Sequence, residues 1–541
     1  MIKKVIWCFL LHFCMFYECA ISAQPANINV SLTSLFEGEP YIAINPANPN
    51  NIVIAWMADD ASTNFRISIK SKTSFDGGQT WGNPSVRPHF GASWSSADVS
   101  MQFRANGTLY LSYIDSRQSP DSGGVYVSHS INGGTSWSTP TQAWNALLED
   151  PTKLPLDRPW LIVDNSGGVN DGSFYMTTKP APWISPPNRA YLKTSTDSGQ
   201  TWNAFRYVDT ANFLIGNFIA APMAAPTVAA DGAFCIAYPS YMASQSIYPK
   251  MLFAKSYNKG ASFQYHDLIV NPTPLAAADS SFKAGYHLTA NPVNANQLAF
   301  IAVSANYGDP DIFVSTTNDG GITWSNLVRV NDDAIGNGIG QDMPWGSYDS
   351  NNRLVVVWRD RRNGAGVGYA QNTDTYSAVS INNGQTFQSN VRLSSASAPF
   401  ANILLQNGND FMGCELLNDT IYAAWGDTRT GSLNIFFAKA SVLTGNVGGI
   451  TTDNSEGEQE FTLSPNPSSG LLFIRSNKNQ KGVTLALYDA NGMNILNKKL
   501  EIGIEPIPID FGRLNDGVFF IEISNRENVL FKKKLIVQKE N

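Results

Sequence analysis

One octapeptide, Ser/Thr-x-Asp/Asn-x-Gly-x-Ser/Thr-aromatic, returns six times and restricts the chain to a repeat architecture. It reads SFDGGQTW from Ser74, SINGGTSW from Ser130, STDSGQTW from Ser195, SYNKGASF from Ser256, TNDGGITW from Thr317 and SINNGQTF from Ser380. The starts lie 56, 65, 61, 61 and 63 residues apart, the spacing of one supersecondary unit per copy. Each copy has the chemistry of a tight hairpin. The Asp or Asn side chain accepts N–H groups across a turn, and the Gly supplies a positive φ. The closing aromatic is expected to pack into its own unit.

Reading backwards from each octapeptide gives three strand signals per unit. The first is PYIAINP, NIVIAW and RISIKSKTS, and the same order recurs to a sixth unit, DMPWGSYD, RLVVVWRD and TYSAVS. A seventh, DFMGCELL, TIYAAWGD and NIFFAKA, has neither an octapeptide nor a fourth strand. The alternating segment at residues 27–34, NINVSLTS, is expected to supply that missing outer strand and close the ring. Charged residues are only 15%, aromatics reach 11%, and there are 43 Gly and 29 Pro, as many short strands and turns require. The expected fold class is all-β: a seven-bladed β-propeller, with six blades as the alternative, followed by a small C-terminal β-sandwich.

Residues 1–23 have the form of a secretory signal peptide, with Lys3 and Lys4, an apolar run and small residues at Ala20, Ser22 and Ala23. Cys8, Cys14 and Cys19 would leave with it, so Cys235 and Cys414 are expected as two buried thiols rather than a disulfide. No second long apolar run exists, and the net charge of −7 argues against a nucleic-acid partner.

The octapeptide resembles the Asp box, or BNR repeat, of sialidases and sialidase-like propellers. That resemblance implies architecture rather than chemistry, because the family's box lies away from its active site. The family also places an Arg on the first strand of blade one, where this chain has Pro40-Tyr41-Ile42-Ala43; Phe65-Arg66-Ile67-Ser68 falls on the third strand instead. Its Tyr–Glu nucleophile pair finds no match either.

Composition shifts after Leu443. Residues 444–459 are Gly-rich and acidic, as a linker would be, which leaves 24–443 for the propeller. Residues 460–541 resemble the type A sorting domain of the type IX secretion system. Pro465-Asn466-Pro467, Gly470, Tyr488-Asp489, Gly492, Leu514, Gly517-Val518-Phe519 and the terminal Lys533-Lys534-Leu535-Ile536-Val537 carry the likeness. It implies export across the outer membrane, and secretion machinery as a partner.

The turn after each second strand, and the start of each first strand, should share the face opposite the boxes, where ligands of this fold class bind. The candidates there are Arg158, Arg362, Arg429, Asp115, Asp157, Asp342, Asp360 and Asp427, with Glu39, Asp98 and Asp410 beside them. Such carboxylates and guanidinium forks suit a sugar, an acidic sugar or glycosidic cleavage. The same Asp-x-Arg triplets also serve as turn devices, and both readings stay open. His89, His129, His266 and His287 lack metal-ligand spacing, and no cofactor motif is present. Asp164 to Asp171 reads as a plain turn, and Trp183 is either a sugar platform or rim packing. The expected function is extracellular glycan recognition, with sialidase-like glycoside hydrolysis as one form of it. The alternative is a non-catalytic propeller that binds a surface protein or mediates adhesion.

Overall fold

Six hairpins are closed by the same two side chains, and this shared turn organises the whole molecule. The hydroxyl of the first box residue accepts the N–H of the Gly four positions on: Gly78 to Ser74 at 2.8 Å, Gly199 to Ser195 at 3.0 Å, Gly321 to Thr317 at 3.0 Å. The third residue accepts the N–H four positions on, as in Thr80 to Asp76 and Ser136 to Asn132, both at 2.9 Å. Several turn donors are thereby satisfied within eight residues.

The computed structural model describes residues 27–61, 66–118, 121–153, 155–181, 184, 188–209, 223–240, 250–270, 285–404, 409–442, 461–464, 468, 471–476, 479–489, 494–511, 514–525 and 529–537. The expected leader, the linker, Trp183, Pro465-Asn466-Pro467, Gly470 and Gly492 lie outside them. The chain divides into two compact units, residues 1–449 and 450–541.

Among the described residues the first unit holds seven four-stranded antiparallel sheets. Sheet 1 is Glu37–Ile44, Ile52–Asp59, Ile67–Ser74 and Ser85–Val86; sheet 2 is Ser95–Phe103, Leu109–Gln118, Asp121–Ser130 and Thr141–Asn145. Sheet 3 is Leu156–Val163, Phe174–Pro180, Tyr191–Ser195 and Arg206–Tyr207; sheet 4 is Ala225–Val228, Phe234–Ser240, Lys250–Ser256 and Gln264–Val270. Sheet 5 is Tyr286–Ala290, Leu298–Ser304, Asp311–Thr317 and Val328–Arg329; sheet 6 is Gln341–Tyr348, Leu354–Asp360, Asp374–Ser380 and Val391–Arg392. Sheet 7 takes Gly413–Leu417, Thr420–Asp427 and Asn434–Ser441, and its outer strand is Ile28–Asn29, paired with Phe437 and Phe436. First strands of successive sheets lie side by side, and that of sheet 7 lies against that of sheet 1.

The second and third strands of these sheets are largely buried on both faces, with side chains alternating to one seam and the other. Ile42 and Ile44 enter the seam with sheet 7, while Ala43 between them enters the seam with sheet 2. Every seam has its own apolar cluster of this kind. Cys235 belongs to the seam of sheets 4 and 5 and Cys414 to that of sheets 6 and 7, so both are buried free thiols.

The box works across seams rather than within one sheet. Trp81 of sheet 1 meets Phe437 of sheet 7 edge-on at 5.3 Å, and Trp324 of sheet 5 meets Phe253 of sheet 4 at 5.3 Å. The box Gly makes the closest approach. A Cβ on Gly134 (φ 93°) would stand 2.7 Å from Val53, and one on Gly384 (φ 74°) 2.6 Å from Thr316, each on the preceding sheet. Gly is required there twice, for handedness and for space.

The second unit has a three-stranded sheet (Phe461–Ser464, Leu471–Ser476, Ile507–Asp510) and a four-stranded sheet (Asn494–Ile502, Gln480–Tyr488, Gly517–Ser524, Val529–Val537). They share one core that includes Phe461, Leu472, Leu485 and Ile521.

Candidate functional site

The turns between first and second strands share a face with the boxes, as the bond from Gly77 N to Asn50 O (2.9 Å) shows. Below mid-height on that side, the ends of the seven first strands line a cavity of about 460 Å³, with Glu415 on its wall. Burial pushes the Glu415 carboxyl up to about 7. Above the cavity, aromatic rings fill the centre. Tyr41, Trp160 and Trp345 stand 5.7 to 6.0 Å apart by centroids, Phe411 lies 5.1 Å from Trp160, and His287 stacks on Trp345 at 4.0 Å.

The opposite mouth is built by a repeated irregularity. In sheets 1, 2, 3 and 6 the pairing of first and second strands slips between Gly38 and Tyr41, Ala97 and Val99, Asp157 and Trp160, and Asp342 and Trp345. A left-handed non-glycine residue sits in each: Glu39 (φ 54°), Asp98 (φ 40°), Arg158 (φ 56°) and Met343 (φ 55°). Each such residue costs about 1 kcal/mol or more of backbone strain. In three of the four, Pro follows (Pro40, Pro159, Pro344), which suits an inner edge strand that has no further neighbour for its N–H. In sheets 1, 3 and 6 an aromatic at the ring's centre follows the bulge (Tyr41, Trp160, Trp345), and in sheets 1, 2 and 3 the left-handed residue is polar (Glu39, Asp98, Arg158).

Three sheets and the approach to a fourth thus converge on Arg158. Its Nη2 donates to Asp410 Oδ2 at 2.7 Å, its Nε lies 3.8 Å from Asp157 Oδ1, and its backbone N–H donates to Asp98 Oδ2 at 2.9 Å. Lys179 is paired with the other Asp157 oxygen. Asp98 lies within hydrogen-bonding reach of both Glu39 and Asp157. Two carboxyls meet that way only by sharing a proton. Burial holds Glu39 well above the usual carboxylate range, and burial with the Asp98 charge pushes Asp157 up to about 6. The Oε2 of Glu39 is buried with no hydrogen-bond donor. Glu39 and Asp98 are 2% and 5% exposed, whereas the side chains of Arg158, Asp157 and Asp410 are 15%, 18% and 22% exposed, so the last three form the outer layer.

Asp342, at the matching position of sheet 6, does not join this network in the bonds observed. It receives Arg359 Nε at 2.7 Å and Arg361 Nη2 at 3.1 Å, and those two guanidiniums hold it far below the usual carboxylate range. Arg362 and Arg429 are placed elsewhere again, each folded onto its own turn. Asp360 accepts Trp358 Nε1 at 2.8 Å, Arg362 N at 2.8 Å and Arg362 Nε at 3.0 Å. Asp427 repeats this with Trp425 Nε1 at 2.9 Å, Arg429 N at 2.9 Å and Arg429 Nε at 3.0 Å. The guanidiniums lie over Tyr376 and Phe436 at 4.4 and 4.6 Å. Asp115 anchors the segment leading into sheet 2, through His89 Nδ1 at 2.7 Å and Phe90 N at 2.8 Å.

Of the eight candidates, then, only Asp157 and Arg158 are seen in one network at the mouth. Lys179 and the Asp115 partner His89 were missed, since both are brought there by pairings that no local motif announces. Asp164 to Asp171 forms a turn tied by Ser166 N to Asp164 Oδ1 at 2.9 Å. Among the described residues no three His, Cys, Asp or Glu side chains are placed to hold a metal, and no helix is long and apolar enough to cross a membrane.

Residues 462–538 match the secretion system C-terminal sorting domain. That domain marks proteins exported by the type IX secretion system to the cell surface or the extracellular space, so the chain is exported and this machinery is one of its partners. No curated protein matches the chain. Solved structures similar to it include a protein of unknown function from Dyadobacter fermentans (17% identity, 66% of this chain, 98% of that one, TM-score 0.42). A Hadza microbial sialidase (14%, 72% and 77%, 0.41) is also similar, as is the GH93 α-L-arabinofuranosidase of Fusarium graminearum (11%, 77% and 98%, 0.44).

Proposed function

We propose that the chain is an exported seven-bladed β-propeller that recognises extracellular glycans at the mouth around Arg158. In this reading residues 1–23 are a signal peptide, 24–443 the propeller, 444–459 a linker, and 460–541 the sorting domain, a small β-sandwich. The seven four-stranded sheets, with the first strand of the last against that of the first, support the blade count.

One observation carries the functional reading. Three sheets accept left-handed strain at Glu39, Asp98 and Arg158, and all three residues belong to one polar network at the mouth. Met343 of sheet 6 has the same strain without joining the network, so it is the convergence of three strained polar residues, and not the bulge itself, that supports a site here. The outer layer offers carboxylate acceptors and a guanidinium to sugar hydroxyls. Behind it, the Glu39 carboxyl holds a proton of the kind a general acid for glycosidic cleavage needs.

The test is to incubate the full exported chain with an array of extracellular polysaccharides and glycoproteins, scoring retention and released sugars together. Retention or release that Arg158→Ala abolishes and Arg362→Ala leaves intact is the expected result. Loss in neither variant would place recognition away from the mouth. The second reading is a binding propeller without catalysis, favoured by the closed pair of Arg158 with Asp410. Retention without release would select it.

A further inference from the structure

Resting on that reading, we infer that the mouth around Arg158 takes uncharged glycans and rejects sugars that carry a carboxylate, such as sialic and uronic acids.

The argument is one of charge and of occupied forks. Four carboxyls, Glu39, Asp98, Asp157 and Asp410, surround two cations, Arg158 and Lys179, and both cations are already paired. With one proton shared among the inner carboxyls, the group is still negative by one charge. A second proton brings it only to neutrality. An incoming carboxylate therefore meets no positive field at this point.

Binding a carboxylate well takes an Arg fork open to two parallel N–H···O bonds. Five arginines that sheets 3, 6 and 7 bring to this face hold carboxylates already. Arg158 has Asp410, Arg359 and Arg361 have Asp342, Arg362 has Asp360 and Asp332, and Arg429 has Asp427. A carboxylated sugar would have to displace Asp410 and then lie beside Asp157. A neutral sugar meets the opposite situation. Its hydroxyls are donors, and the outer Asp157 and Asp410 are acceptors. Behind them, the Oε2 of Glu39 is buried with no donor of its own and adds to the acceptor excess of the network.

The experiment uses the full exported chain on an immobilised array. The neutral probes are xylo-, arabino-, manno- and cello-oligosaccharides; the acidic probes are sialyllactose and oligogalacturonides. The expected result is retention of at least one neutral series, abolished by Arg158→Ala. Acidic probes should bind at least about tenfold more weakly, the effect of a like-charge contact near 1.4 kcal/mol. The double variant Asp157→Asn/Asp410→Asn frees the fork and should gain sialyllactose binding by about tenfold. Acidic probes bound as tightly as neutral ones, and lost in Arg158→Ala, would overturn the inference while leaving glycan recognition at this site intact. Retention of a neutral series that persists in Arg158→Ala would overturn it as well. No retention of any glycan would overturn the recognition reading itself, and the inference with it.

Discussion

Arg158, in the first strand of sheet 3, and Arg362, just past the second strand of sheet 6, are the same residue type, yet they are held in different ways. Arg362 is held by its own turn: Asp360 takes the indole N–H of Trp358, the turn N–H and the guanidinium together. Arg429 repeats that arrangement atom for atom in sheet 7. Each such device starts within its own turn and is finished from outside it, Arg362 by Asp332 and Asn390 and Arg429 by Asn27 and Ser395. Arg158 takes Asp410, distant in sequence, besides its neighbour Asp157, and it sits among more acids than cations. Repetition marks the device that serves the fold. The unrepeated cluster is the one on which the proposed recognition rests.

This contrast gives an order of effects. Arg158→Ala should be the most damaging, costing about 3–5 kcal/mol at pH 7 because it strands buried carboxyls without their cation. Urea unfolding at pH 7 and pH 5 checks the cause. The loss should shrink at pH 5, where the stranded carboxyls protonate; an equal loss at both would mean packing, not charge. Asp360→Ala or Asp427→Ala should come next, at about 2–3 kcal/mol, since a buried indole N–H, a turn N–H and a guanidinium all lose their acceptor. Glycan retention in these variants should stay at the wild-type level, and a fall would erase the distinction between the two regions.

The third effect is a pH dependence. Glu39 and Asp157 have folded pKa values above their unfolded ones, so the native state binds the extra proton. The Asp157 contribution is present in full below about pH 4 and is lost as pH rises through about 6, and that of Glu39 is lost in the same direction. Glu39→Gln, which keeps the shape of the protonated acid, should flatten that fall and be neutral or stabilising at pH 7. A denaturation series from pH 4 to pH 8 reads it directly. Smallest should be Arg362→Lys, at about 1 kcal/mol, from loss of the fork and of the contact with Tyr376. Thermal unfolding is sensitive enough to see it.

Much of the fold was legible because it is local. A box needs only eight residues to close its turn, and the strand signals precede it at fixed distance. The direction in which the box aromatic packs was not legible. Trp81 and Trp324 go to the neighbouring sheet, which depends on how sheets stack and not on the hairpin itself. The acids at the mouth could be picked out by their position ahead of first strands, as with Glu39, Asp98 and Asp410. Nothing in the sequence distinguished Arg158 from Arg362, because the left-handed residues are not glycines and give no composition signal. Burial decides the rest: Arg361 reads as a surface residue and is 1% exposed.

The outer strand Ile28–Asn29 has a mechanical consequence. Sheet 7 joins residues 28 and 437 by non-covalent contacts, whereas sheets 1 to 6 are each built of strands consecutive in the chain. Under tension the ring therefore has one clasp, fastened by a two-residue ladder, by Val30 N to Ile435 O at 2.8 Å, by hydrogen bonds of Asn29, Ser31 and Thr33, and by the packing of Val30 in one apolar cluster with Phe437. Pulling on the amino end peels that clasp like a zipper, one bond at a time. A pull that shears a central strand pair loads many bonds at once. For a protein held at a cell surface, the end at which it is tethered would decide how much force it survives.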